Sequence, residues 1–158
     1  MATEVFHTTT TWAGNDGTGT AEPTFGRDSE LSAESRPTIP GGPTPQYGGD
    51  HTGWSPEDLL GLAVSQCHML WFLHLCQRNS VVVESYVERT STTLQTHGSK
   101  GVVTGVDLDA TVELSSGDVE LARTLFDKAG ELCYIARTLN CPVTHRVEVV
   151  AVDPAARS

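Results

Sequence analysis

Two hydrophobic periods alternate along the chain: stretches in which apolar residues recur at every second position, and stretches in which they recur every three or four. Val5–Ala13 is rich in threonine and ends near Trp12, the composition of a short strand, and Gly14-Asn15-Asp16-Gly17 closes it with turn residues. A second strand pair or a bent hairpin is expected between Thr18 and Glu34. Residues 35–54 then change character: Pro37, Pro40, Pro43 and Pro45 among glycines predict a long loop. Ser55-Pro56-Glu57-Asp58 is a helix start, with Ser55 as N-cap, proline at the first helical position and acids in the first turn. The helix is predicted over 55–79. Leu59, Leu60, Leu62, Val64, Met69 and Leu70–Leu73 put apolar residues on nearly every face of it, and such a helix must be covered all round. A second copy of the chain is the natural cover.

Val81–Leu94 reads as a strand, and Gly98-Ser99-Lys100-Gly101 as the turn after it. The next segment alternates. Val102, Thr104, Val106, Leu108, Ala110, Val112 and Leu114 are expected on one face, with Gly101, Val103, Gly105, Asp107, Asp109, Thr111 and Glu113 on the other. Ser116-Gly117-Asp118 opens a second helix, predicted over 117–140, whose stripe is Leu121, Leu125, Ala129, Leu132, Ala136 and Leu139. Val147, Val149 and Ala151 mark a last strand. The order ββ-α-ββ-α-β defines an α+β protein, expected as a single domain over 1–158.

Charge narrows the range of partners. Twenty acidic against ten basic residues give a net charge of -10, which excludes a phosphate backbone or an anionic membrane surface as the main partner. Ser65, Gln66, His68 and His74 interrupt the apolar run Leu59–Cys76 and favour a buried core helix over a transmembrane span. Met1–Thr11 is polar and does not read as a secretory signal. Four cysteines without a Cys-x-x-Cys pair do not make a disulfide scaffold, so a cytoplasmic, thiol-reduced setting is expected.

Cys67 sits midway along the predicted central helix. It serves either as a small core residue or, given a nearby cation, as a thiolate. Arg27 and Arg36 are the candidate cations. Glu57 lies ten residues earlier, about 15 Å along one helix, so it can approach Cys67 only across a two-fold axis. Taken alone it is a first-turn helix acid. Cys76 falls on the opposite face from Cys67, so no disulfide joins them within one helix. His68 and His74 make no metal-ligand spacing with Cys67. Cys133, beside the stripe of the second helix, can point into the same core as Cys67, while Cys141 precedes Pro142 after it.

The run Ser55-Pro56-Glu57-Asp58-Leu59-Leu60 ending at Ser65-Gln66-Cys67 resembles the Asn/Ser-Pro-Glu-x-Leu-Leu…Cys signature of the OsmC/Ohr family, the osmotically inducible and organic hydroperoxide resistance proteins. The Glu-to-Cys spacing and a second cysteine some sixty residues on also resemble the family pattern, as does the element order. The resemblance implies an intertwined homodimer with both long helices in its core. It also implies Cys-based reduction of organic hydroperoxides, with no metal or organic cofactor. Cys67 corresponds to the peroxidatic cysteine, Glu57 to the acid that holds the activating arginine, and Arg27, rather than Arg36, to that arginine. Cys133 is chosen as resolving cysteine, with Cys141-Pro142 as competitor. The His after Cys67 and the missing Pro after Cys133 depart from the pattern and mark a divergent subgroup.

In the implied chemistry Arg27 favours the Cys67 thiolate, which attacks the distal peroxide oxygen and becomes a sulfenic acid as the alcohol leaves. Cys133 condenses with it to a disulfide, and an external dithiol, lipoyl-type or a small thiol, restores the pair. Met69, Leu70, Trp71 and Phe72 offer either a pocket for apolar peroxides or simple core packing. The alternatives are a non-catalytic protein of the same fold that binds an apolar ligand at the dimer interface, and a thiol redox sensor.

Overall fold

Ser55 starts the long helix as its sequence predicts. Its hydroxyl accepts from the Asp58 N–H at 3.1 Å, and the Asp58 carboxylate accepts from the Ser55 N–H at 3.0 Å, a reciprocal cap that satisfies two otherwise orphaned donors. The structure, a computed structural model, describes residues 3–153. Its elements are β1 (Thr8–Trp12), β2 (Ser29–Ala33), β3 (Ile39–Gly41), α1 (Pro56–Arg78), β4 (Val82–His97), β5 (Lys100–Ser116), α2 (Val119–Leu132) and β6 (Val143–Ala151), with 3-10 turns at Pro45–Tyr47 and Ala136–Thr138. This is the expected α+β class. The strands form two separate three-stranded sheets, and the chain divides between Leu59 and Leu60 into two compact units where the sequence reading has one domain.

In the first unit β1 pairs antiparallel with β2, and β2 with β3. The stretch between Thr18 and Glu34 yields one strand rather than a hairpin of its own. The proline-rich segment is not free of structure either. Ile39 and Gly41 pair with Leu31 and Ser29, and the chain then returns so that Gly41 bridges Trp54. Pro40 is tolerated because β3 lies at a sheet edge.

In the second unit β4 and β5 form a long antiparallel hairpin, turned at Gly98 with φ of 60°, and β6 adds parallel to β5. The connection through α2 is what makes a parallel neighbour possible. Val106, Leu108, Ala110, Val112 and Leu114 are buried as the alternation predicts. The alternation fails before Val106. Thr93 pairs with Gly105 but Leu94 pairs with Val103, so Thr104 is an extra residue and the pairing shifts there. A bulge of this kind reverses the faces beyond it. Val103, expected outside, packs against the Val64–Val106–Leu108 cluster, whereas Val102, expected inside, is exposed.

α1 lies on this sheet along one narrow seam, Gly61, Val64, His68, Phe72 and Cys76, spaced by three and four residues. Gly61 marks the closest approach to β4, since a Cβ there would lie 2.6 Å from the Thr92 hydroxyl. Phe72, Phe126, Leu114 and Val112 fill the main core, where each buried side chain contributes about 1.5–3 kcal/mol. The remainder of α1 is uncovered: Leu62 and Leu70 are exposed, and Trp71, Leu73 and Leu75 half-covered. By length and mean hydropathy the helix would also be able to cross a membrane.

α2 begins on Asp118, whose carboxylate accepts from the Leu121 N–H at 2.7 Å. It ends at Leu132, eight residues before the expected boundary. Cys133 leaves the helix with extended backbone, φ -63° and ψ 110°, and turns its sulfur into the core, where it accepts from the Ala136 N–H at 3.4 Å. No glycine or proline signals this stop in the sequence. The buried thiol and the 3-10 turn at Ala136–Thr138 replace the last turns of helix.

Candidate active site

Cys67 projects from the middle of α1, half-buried, one residue from the buried seam. Cys133 is completely buried at the end of α2. The two elements meet where the Cys133 thiol faces the Val64 carbonyl of α1 at 3.8 Å, three residues before Cys67. The Cys67 thiol lies near enough to that of Cys133 to act on its ionisation. Burial, followed by this contact, pushes the Cys133 thiol up to about 11, against a hydrogen bond from Ala136 that favours the thiolate. Cys141 lies half-buried in the segment before β6.

Cys76 shares α1 with Cys67 but points into the main core with Phe72 and Leu114. Burial alone pushes it up to about 11, the behaviour of a structural cysteine.

A cavity of about 430 Å³ opens beside Cys133, lined by Val64, His68, Leu108, Val143 and His145 among others. His145 donates toward Asp127 at 3.1 Å, and its ring covers Gly130, where a Cβ would lie 2.7 Å from the imidazole. His68 lies against it, ring centroids 5.4 Å apart. Its Nε2–H donates to the Phe126 carbonyl at 3.1 Å. Burial and the neighbouring His145 press His68 down to about 4, so it is neutral at physiological pH.

The sequence marks His68 as a polar interruption of the core helix, without metal-ligand spacing to Cys67, and as a departure from the family pattern, and it does not single out Glu88 or Tyr86. Tyr86 donates to Glu88 at 2.5 Å, and the Glu88 carboxylate reaches 3.7 Å from His68 Nδ1, both side chains at most 2% exposed. The alternation of β4 was the available signal: Tyr86 and Glu88 share an inward face with Thr90. An acid on such a face is unexpected.

The other predicted site residues belong to the first unit. Glu57 is half-buried in the first turn of α1 and forms no ion pair among the described residues. The Arg27 guanidinium lies 4.2 Å above the Phe25 ring and donates to the Phe25 and Pro23 carbonyls, with Gly48 against it. Arg36 donates to the Glu34 carbonyl and borders a groove with Leu31, Ile39 and Leu59. Thus the structure brings Cys67 to Cys133, while Arg27 is held by the Phe25 ring and the Phe25 and Pro23 carbonyls. Among the described residues no group of three His, Cys, Asp or Glu side chains is placed to hold a metal.

The family model described as OsmC-like protein matches residues 48–148, a span that includes α1, both apposed thiols and α2. The chain belongs to the OsmC-like family. Solved structures of that fold resemble it over nearly their whole length. An OsmC-like protein of unknown function from Vibrio cholerae superposes with a TM-score of 0.83 at 22% identity, over 92% of this chain and 100% of the other. An organic hydroperoxide resistance protein OsmC from Legionella pneumophila gives 0.63 at 16% identity, covering 95% and 100%. One from Elizabethkingia anophelis gives 0.64 at 15%, covering 96% and 98%. A comparison with curated proteins gives no match. The OsmC-like family thus includes proteins of organic hydroperoxide resistance, and the fold of this member is theirs.

Proposed function

We propose that this OsmC-like protein is a thiol-dependent peroxidase that reduces organic hydroperoxides to alcohols. The observation that carries the reading is the apposition of Cys67, half-exposed on α1, and Cys133, buried where α2 ends. The Cys67 thiolate attacks the distal oxygen of ROOH. The O–O bond breaks, RO⁻ leaves and takes a proton to become ROH, and the sulfur becomes a sulfenic acid. Cys133 attacks that sulfur, water departs with the thiol proton, and the disulfide forms. An external dithiol then exchanges with it and restores both thiols. Organic hydroperoxide resistance proteins among the structural relatives support the same reading. Arg27 is carried as the cation that favours the thiolate, with Glu57 as its carboxylate partner.

The reading includes a homodimer. Leu62 and Leu70 stay exposed on a helix that is apolar on nearly every face, and a second α1 would cover them. Sedimentation of a stable monomer at micromolar concentration would remove this part of the proposal.

The deciding experiment is consumption of cumene hydroperoxide by the reduced protein with a dithiol, followed by mass mapping. Turnover with a Cys67–Cys133 bond is expected. A Cys67–Cys141 bond would move the resolving role to Cys141. Absence of turnover with Cys67 inert to alkylation would favour a non-catalytic member of the fold that binds an apolar ligand at the dimer interface.

A further inference from the structure

We infer that His68, braced by Glu88 and Tyr86, is a positioning residue that holds α1 against α2 and thereby sets the Cys67–Cys133 apposition. The inference rests on the two-cysteine reading above.

Three observations meet at this residue. His68 is the next residue after Cys67 and is 1% exposed. Its Nε2–H ends on the Phe126 carbonyl, two turns before α2 stops and releases Cys133. The bond therefore ties the helix that carries one thiol to the helix whose end carries the other. Phe126 also packs edge-on against the imidazole, ring centroids 4.3 Å apart, so both the ring and the carbonyl of one residue fix it.

The rear of the ring is less ordinary. Nδ1 and the Glu88 Oε1 atom are buried with no hydrogen-bond partner, and Nδ1 faces Glu88 Oε2 at 3.7 Å. With its proton committed at Nε2, a neutral imidazole turns a lone pair toward the carboxyl group. Two lone pairs facing each other in a core repel, and a bare carboxylate there is costly. The Tyr86 hydroxyl donates to Oε2 and so holds the Glu88 carboxyl group in place behind the ring. The groups facing His68 are Glu88 and Tyr86 from β4, Phe126 and Asp127 from α2, and His145 from β6. His145 donates to Asp127, whose charge also acts on His68.

A neutral amide in place of the carboxyl group can do the same work. In E88Q the amide N–H₂ donates to Nδ1 and its oxygen accepts from Tyr86, whereas E88L removes both bonds. The test is the equilibrium of the whole protein with glutathione redox buffers, read by mass mapping of the Cys67–Cys133 bond. The disulfide's effective concentration reports thiol apposition without any peroxide. H68L and E88L are expected to lower it about tenfold or more, with E88Q staying within about twofold of the parent. Should H68L fail to fold, the E88Q and E88L pair on β4 decides alone. Folded H68L and E88L proteins that both keep the parental value would overturn the inference, as would E88Q losing as much as E88L. A parent that forms no disulfide between these cysteines overturns the two-cysteine reading and this inference together. A parent that forms it, with unchanged variants, overturns this inference alone.

Discussion

Cys67 and Cys76 stand nine residues apart on the same apolar helix, yet their surroundings have little in common. Cys76 is sealed among Phe72, Leu114 and their neighbours, and burial alone pushes its thiol up to about 11. Cys67 sits just off the buried seam, half-exposed, with the Cys133 thiol against it. The helix supplies both with the same backbone and a similar apolar sequence. What separates a redox candidate from a packing residue is the neighbour that another element brings, here the irregular end of α2. A reactive thiol needs access and a partner, and only one of the two has them.

The largest test of this contrast is removal of each sulfur in turn. Cys67→Ser is expected to reduce peroxide turnover by about a thousandfold or more, as loss of a nucleophile does. Cys76→Ala should leave turnover within about twofold and cost only about 1 kcal/mol, from lost packing. Comparable losses in both would erase the distinction. Next comes the residue that supports both surroundings. Phe126→Ala empties the main core beside Phe72 and removes the ring that fixes His68, and should cost about 3–5 kcal/mol by chemical denaturation. A smaller effect is expected at the crossing of α1 and β4. Gly61→Val forces a side chain into the Thr92 hydroxyl, at about 1–3 kcal/mol.

The pH dependence is gentler and has two windows. Cys76 and Cys133 ionise in the unfolded chain near 9.0 but in the folded protein near 11. The unfolded state therefore releases protons first, and stability should fall as pH rises from about 9 towards 11. Cys76→Ala flattens part of that slope. In acid the sign comes from His68, whose folded value of about 4 lies below the ordinary 6.5. Stability is intact above 6.5 and is lost as pH falls toward 4, because the unfolded imidazole takes up its proton first. A His68→Gln variant whose denaturation midpoint is as acid-sensitive as the parent's would place that loss elsewhere. In native protein at pH 8, iodoacetamide should modify Cys67 well before Cys76.

Several of these features are legible in the residues and several are not. The start of α1 is local chemistry: Ser55 and Asp58 close the first turn around Pro56 with their own atoms, and the structure keeps that arrangement. The Gly98 turn, the inward face Val106–Leu114 and the Asp118 cap are equally local, since each depends on a period or a single backbone angle. The Pro-Glu…Cys signature carried the family. The bulge at Thr104 was beyond reach of pattern, because the extra residue is defined only by what β4 pairs with. The early end of α2 was also hidden. Its stripe continues through Ala136 and Leu139, and only the burial of Cys133 against α1 stops the helix at Leu132.

The candidate site divides along the same line. One sequence can mark Cys67 and Cys133 as thiols on core-facing segments, because burial periodicity is written in neighbouring residues. Their contact, and the Tyr86–Glu88–His68 group beside them, joins residues from α1, β4 and the end of α2. Sequence spacing does not encode such distances. They are set by how a helix seam of Gly61, Val64, His68 and Phe72 settles on a twisted sheet, and the same seam decides which of two cysteines on one helix meets a partner.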